Sequence, residues 1–266
     1  MEEIKRLRDR TGAGMLDCQK ALKEANNDID LAVEILRKKG ISKAAKRGDR
    51  ETNEGVIKLA VNEAGNEGYM VELNSETDFV SRNEKFQEMS DLILNLIMNN
   101  KPANIEELLK IDVNGASLKD LLDNLSGTIG EKMAIKDFAI LSGETVTAYS
   151  HLGGKIGVLV ALDQAGKADL GYEMAMQITA ANPRYLNSSE VEASDLEKEK
   201  DIYRVQLLKE GKPEAMIDKI IEGKMGKYYS EVCLVEQEYI KDDRKKVKDV
   251  LAGVNVLKFV RYTLSS

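Results

Sequence analysis

The feature that most constrains what this chain can fold into is a strand-turn-strand-helix pattern that occurs twice. In the first copy Val56, Lys58 and Ala60 alternate with Ile57, Leu59 and Val61; Asn62-Glu63-Ala64-Gly65-Asn66-Glu67-Gly68 supplies turn residues, and Tyr69 to Leu73 returns as a second strand. Placing Glu144-Thr145-Val146-Thr147-Ala148-Tyr149 over Glu54-Gly55-Val56-Ile57-Lys58-Leu59 puts strand on strand, with Gly153-Gly154 as the second turn and Ile156 to Leu162 as the second return. Each hairpin leads into helical spacing. Phe86, Met89, Leu92, Ile93, Leu96 and Ile97 share one face from about Arg82 to Met98, and a second helix is predicted from about Ala168 to Ala181. Two such copies predict an α+β core of two similar subdomains, each burying its sheet face against its own helix.

The rest of the chain reads as additions to that core. Residues 1–40 carry three short helical patterns. Ile4 and Leu7 mark the first, which Gly12 and Gly14 break; Met15 to about Ala25 forms the second, burying some of Leu16, Cys18, Ala21 and Leu22. Asn27 or Asp28 caps the third, which Gly40 ends. Residues 41–53 are basic and polar and read as a linker, so residues 1–50 form a three-helix module with its linker. Residues 51–140 then form the first core subdomain and 141–266 the second. A looser helical region runs from about Ile105 to Glu131, interrupted near Asp112 to Ser117 and at Gly127 and Gly130. Within the second subdomain, about 188–227 reads as an inserted antiparallel helical hairpin, with Leu196, Ile202, Val205 and Leu208 facing Met216, Ile217, Ile220 and Ile221 across Gly211-Lys212-Pro213. Residues 228–234 are expected as a strand, Glu238 to Leu251 as helix, and Asn255 to Tyr262 as a final strand.

Between the first hairpin and its helix lies Asn74-Ser75-Glu76-Thr77-Asp78-Phe79-Val80. Ser81 and Glu84 have capping-box spacing, which leaves Thr77 to Val80 outside the helix. Two readings follow. Either Phe79 and Val80 stand beside Asp78 at the surface, offering apolar area and negative charge to a partner, or Val80 is a hydrophobic staple and Phe79 is simply buried. The second copy has Asp163-Gln164-Ala165-Gly166 at this place, so the shared architecture does not demand the Asp-Phe pair.

Three separated strings, Arg10-Thr11-Gly12-Ala13-Gly14-Met15-Leu16-Asp17-Cys18, Thr77-Asp78-Phe79-Val80 and Lys155-Ile156-Gly157-Val158-Leu159-Val160, occur in the order found in bacterial elongation factor Ts, and the chain resembles that family over essentially its whole length. The resemblance implies a nucleotide exchange factor for the GTPase elongation factor Tu. It implies a ubiquitin-associated-like N-terminal module whose Arg8, Met15 and Leu16 lie against that partner. It implies that Thr77, Asp78, Phe79 and Val80 reach toward the partner's Mg²⁺ site, and it places His151 on the surface of the second subdomain as a further contact. The helical hairpin matches the family's coiled-coil insertion, a candidate for self-association. Some members carry a further C-terminal helical module, for which there is no pattern after Tyr262.

The composition narrows the alternatives. No Gly-x-x-x-x-Gly-Lys-Ser/Thr string exists, so no direct nucleotide site of P-loop type is expected. The one histidine, His151, and two distant cysteines, Cys18 and Cys233, give no metal-ligand set, and no nucleophile-base pair stands out; the chain is expected to act without chemical catalysis, cofactor or metal. Neither a leader nor a membrane span is visible, which predicts a cytoplasmic protein. A net charge of −7 argues against a general nucleic-acid surface. One basic cluster, Arg37, Lys38, Lys39, Lys43, Lys46, Arg47 and Arg50, is read as a solvated linker, with RNA contact as the alternative. The remaining competitor is a non-catalytic adaptor that binds partner helices through the N-terminal module and the helical hairpin.

Overall fold

The computed structural model describes residues 2–11, 13–45 and 47–264, without the side chains of residues 41 and 43–45. Gly12, part of the expected break after the first helix, and Lys46 of the basic cluster lie outside the described residues, as does the side chain of Lys43.

Helices α1 (Glu2–Thr11), α2 (Met15–Glu24) and α3 (Ile29–Ala45) come first. They close around Leu7, Cys18, Ala21, Leu22, Ala32 and Leu36. Of the two candidate caps for α3 it is Asp28 that serves, its carboxylate accepting from the N–H groups of Asp30 and Leu31 at 2.9 and 3.0 Å.

The first copy of the repeat follows as β1 (Glu54–Val61), β2 (Glu67–Ser75), a one-turn helix α4 (Asp78–Ser81) and α5 (Glu84–Asn100). After α6 (Ile105–Lys110), a small hairpin of β3 (Asp112–Val113) and β4 (Ala116–Ser117) leads to α7 (Leu118–Ile129) and β5 (Met133–Ser142). The second copy comprises β6 (Thr145–His151), β7 (Ile156–Leu162) and α8 (Ala168–Ala181). The inserted pair α9 (Ala193–Lys209) and α10 (Glu214–Val232) comes next, then β8 (Glu238–Tyr239), β9 (Asp242–Lys246), α11 (Val247–Leu251) and β10 (Val256–Thr263). The fold is α+β, and its two main sheets are the same antiparallel motif, β1-β2-β5 and β6-β7-β10, with the return strand of the hairpin central in each.

Alternation along the central strands sets the layers. Tyr69, Val71 and Leu73 of β2 share a core with Phe86, Ile93 and Ile97 of α5. Val158, Val160 and Leu162 of β7 do the same with Met174, Ala175 and Ile178 of α8. The intervening residues Met70, Leu159 and Ala161 meet Ile57 and Val146 between the sheets. The order is therefore helix, sheet, sheet, helix. Each fully buried aliphatic or aromatic side chain contributes roughly 1.5–3 kcal/mol to this arrangement. The two hairpins also lock into each other: the Val146 N–H donates to Gly65 O in the first turn at 2.7 Å, and the Ile57 N–H donates to Gly154 O in the second turn at 2.8 Å.

Several sequence expectations are corrected. Helix α3 does not end at Gly40 but runs on to Ala45, into the expected linker. Gly40 is instead where α3 crosses α7; a Cβ on Gly127 would lie 2.7 Å from the Gly40 Cα. The tie is reinforced by an Arg37–Asp120 ion pair. In the inserted hairpin, Leu207, Ile217, Ile221, Met225 and Tyr228 are buried, whereas Ile202, Val205, Leu208 and Met216 are exposed. The contacting stripe of α9 runs through Leu196, Tyr203 and Leu207, about a residue round from the one the periodicity suggested. Residues 228–232 continue α10 instead of forming a strand. The expected helix from Glu238 begins as a strand pair, because the Gln177 side-chain amide of α8 donates to Glu238 O and accepts from the Ile240 N–H, at 3.1 and 2.9 Å. Strand β5 had no counterpart among the sequence expectations.

Candidate functional site

The segment after β2 is built from its hydrogen bonds. The expected capping box does not form. Ser81 Oγ donates to Asp78 O at 2.9 Å within α4, and Asn83 caps α5 by accepting from the Lys85 N–H at 3.0 Å. Asp78 to Val80 are therefore helical, and Thr77 is the residue that precedes the helix. Of the two readings of this turn, each holds for one residue. Val80 is buried in the core that contains Phe86, as a staple would be, whereas Phe79 is 83% exposed. Beside it the Asp78 carboxylate is partly exposed and pairs with Arg82 at 2.9 Å. A ring and a carboxylate stand on a single helical turn whose next residue is anchored in the core.

That turn is braced from below. Glu131 takes two hydrogen bonds from Thr77, from its N–H at 2.9 Å and its hydroxyl at 2.7 Å. In return the Glu76 carboxylate accepts from the Lys132 N–H at 2.6 Å and from Arg50 at 3.0 Å. Lys132 Nζ donates onward to the carbonyls of Gly48 and Arg50, and Arg47 donates to Ser126 O at 3.1 Å. Partial burial of Glu76 would push its carboxyl pKa up, but the Lys132 N–H and the Arg50 guanidinium outweigh this and hold it below the ordinary value. Glu131, Lys132, Arg50 and Glu76 escaped the sequence reading as site residues. Positions 77 and 131 lie 54 residues apart, and no local motif joins them.

The other expected contact residues occupy separate elements. Met15 and Leu16 head α2 at 55% and 70% exposure, so neither is a core residue and the expected burial of Leu16 is corrected; Cys18, Ala21 and Leu22 fill the inward face instead. Arg8, on α1, is also exposed. His151 ends β6 with its Nδ1 3.1 Å from the Tyr149 hydroxyl, and Tyr172 stacks edge-on against Tyr149. The adjacent Leu152 is well exposed. The described basic residues of the cluster are engaged with the chain itself: besides Arg37, Arg47 and Arg50, Lys39 pairs with Glu24 at 2.5 Å and Lys38 with Glu34 at 3.9 Å. Among the described residues no group of three or more His, Cys, Asp or Glu could hold a metal ion, and no helix is long and apolar enough to cross a membrane.

Fold and turn together define an α+β scaffold that displays an apolar-acidic turn to solvent on a braced base. A sequence model of the family described as Elongation factor TS matches residues 76–266, a span that opens on this turn. The chain is 43% identical to the elongation factor Ts of Clostridium acetobutylicum, over 97% of this chain and 90% of the relative. It is 41% identical to that of Deinococcus radiodurans over the full length of both. The chain belongs to the elongation factor Ts family.

Proposed function

We propose that this protein is the guanine nucleotide exchange factor of elongation factor Tu, and that it works in the cytoplasm without chemistry of its own. The observation that carries the reading is the exposure of Phe79 beside Asp78 on a turn anchored by Val80. Aromatic side chains are enriched in protein–protein interfaces, where a few such anchors carry most of the binding free energy. In this reading Phe79 is an apolar wedge that shifts a helix or loop of the GTPase. Asp78 disturbs the groups that hold Mg²⁺, and Thr77 and Val80 fix the pair from either side. The ion carries a large share of the charge that neutralises the nucleotide phosphates, so moving it weakens nucleotide binding. Arg8, Met15 and Leu16 supply a second hold, and His151 with Leu152 a third. Residues 1–50, 51–140 and 141–266 thus each carry one contact.

The thermodynamics need no covalent step. Whatever nucleotide affinity the factor removes, nucleotide removes from factor affinity. The factor stabilises the empty GTPase, and the nucleotide in excess refills it. Release of a fluorescent GDP from elongation factor Tu should be strongly accelerated by the parent protein and slowed about tenfold or more by Phe79→Ala, the loss of an interface anchor worth at least 1.4 kcal/mol. Asp78→Ala should act in the same direction. No acceleration by the parent would leave a non-catalytic adaptor in front. The exposed stripe of Ile202, Val205, Leu208 and Met216 on the helical hairpin supports such binding, self-association included. Sedimentation of the protein with and without Val205→Asp tests that second reading.

A further inference from the structure

The two copies of the repeat share one device at the base of their turns and differ in another. After each central strand a carboxylate accepts the N–H of the residue just before the third strand: Glu76 from Lys132 at 2.6 Å, Asp163 from Asn255 at 2.8 Å. That contact belongs to the common architecture. The grip of Glu131 on Thr77 belongs to the first copy, whose turn carries the Asp-Phe pair.

The grip is unusually complete. Thr77 stands at the position where its hydroxyl would ordinarily cap α4, yet it makes no capping bond; the hydroxyl is given to Glu131. The Thr77 N–H goes to the same carboxylate, and the Thr77 carbonyl accepts from Ser75 Oγ at 3.0 Å and from the Ser81 N–H at 3.3 Å. Every polar group of the residue is therefore committed, and both its backbone and its side-chain rotamer are set. Glu131 is itself held, its carbonyl accepting from Ser126 Oγ at 2.6 Å at the end of α7. Val80 anchors one end of this short helix in the core, and the bonds of Thr77 fix the direction from which the chain enters the other.

We infer that Glu131 is a positioning residue for nucleotide exchange, aiming Asp78 and Phe79 through Thr77 without touching the partner. The inference rests on the exchange reading above. A rigid turn spends less of its binding free energy on ordering when it docks.

The test is a double-mutant cycle in release of fluorescent GDP from elongation factor Tu. Glu131→Ala should slow release at saturating factor about tenfold while shifting the half-saturating concentration less than about threefold, since the other contacts remain. Glu131→Gln keeps an acceptor for the N–H and offers its amide NH2 to the hydroxyl oxygen, reversing the direction of that bond, and should restore most of the rate. In an Asp78→Ala, Phe79→Ala background, where nothing is left to aim, Glu131→Ala should add no further loss. Hydrogen exchange at the Thr77 amide should quicken in Glu131→Ala and stay slow in Glu131→Gln. Slowdowns that multiply across the cycle, or Glu131→Ala at the full parental rate, would overturn the positioning role. If Glu131→Ala fails to fold, Thr77→Val, which replaces only the hydroxyl by a methyl, should slow release and show the same non-additivity with the Asp78→Ala, Phe79→Ala pair. A parent that does not accelerate release sinks the exchange reading; an active parent with an unimpaired Glu131→Ala sinks only the role given to Glu131.

Discussion

The crossing of α3 and α7 ties the N-terminal module to the core, and it makes a graded prediction. A Cβ on Gly127 would stand 2.7 Å from the Gly40 Cα and 3.0 Å from the Gly40 carbonyl oxygen. Both are backbone atoms, and ordinary contact is about 3.5–4.0 Å, so the helices must part by about 1 Å. Such overpacking costs about 1–3 kcal/mol, against about 1 kcal/mol gained when Ala replaces Gly in a helix. A Cβ on Gly40 meets a softer obstacle, the Asn124 Oδ1 at 2.9 Å, the end of a side chain that can turn away for about 0.5–1.5 kcal/mol. Gly127→Ala should therefore destabilise by up to about 2 kcal/mol while Gly40→Ala is close to neutral. At about 2–4 °C per kcal/mol, that is a fall of up to about 8 °C for the first and little change for the second. Circular dichroism melts give the midpoints, and hydrogen exchange along α3 shows whether the loss is in docking. Equal midpoints for the two variants, or a higher midpoint for Gly127→Ala, would refute the close backbone contact as the limiting element.

Other outcomes follow from burial and charge. Phe79→Ala should leave stability within about 0.5 kcal/mol of the parent, because the ring is in solvent, whereas Phe86→Ala at a fully buried site should cost about 3–5 kcal/mol in denaturant titrations. The Glu76 pKa is depressed in the folded state, so its contribution to stability is present above the unfolded glutamate value of about 4.3 and is lost as pH falls through the lower folded value; Glu76→Gln should make the acid limb of a stability-pH curve shallower in that window. Burial holds the Cys233 thiol up at about 11 and raises Cys18 as well, so neither should react with an alkylating reagent at pH 8 until denaturant is added. Labelling of the folded protein would show that one of these sites opens.

How much of this was legible in the sequence depends on the range of the interaction. The two hairpins were readable because alternation and turn residues are local; only the edge of the first turn differs, since Glu67 and Gly68 belong to β2, where Gly68 pairs with Val61. Strand β5 was not, because its ten residues carry mixed burial and pair with β2 across the intervening helices. Gly40 misled for a related reason: within the chain a helical glycine looks like a stop, and only the approach of α7 explains it as a contact. At the turn, local chemistry named Phe79 and Asp78 but could not decide whether the ring was buried, since that depends on Val80 filling the available place in the core. The Glu131–Thr77 grip was beyond sequence reasoning altogether, because a Glu after a glycine-ended helix is an ordinary surface residue until the strand that places it is known.

The reciprocal lock between the hairpins has a consequence for biosynthesis. The sheet that leads into the Asp78–Phe79 turn is complete in covalent terms at Ser142, yet Ile57, Met70 and Leu141 lack their cover until β6 and β7 have been made, and the Ile57 N–H has no acceptor until Gly154 is in place. At about 5–20 residues per second the nascent first half waits a second or so with its inner face bare. Chains that stop short of Gly154 are thus expected to behave as sticky clients of chaperones and proteases, not as half-active factors.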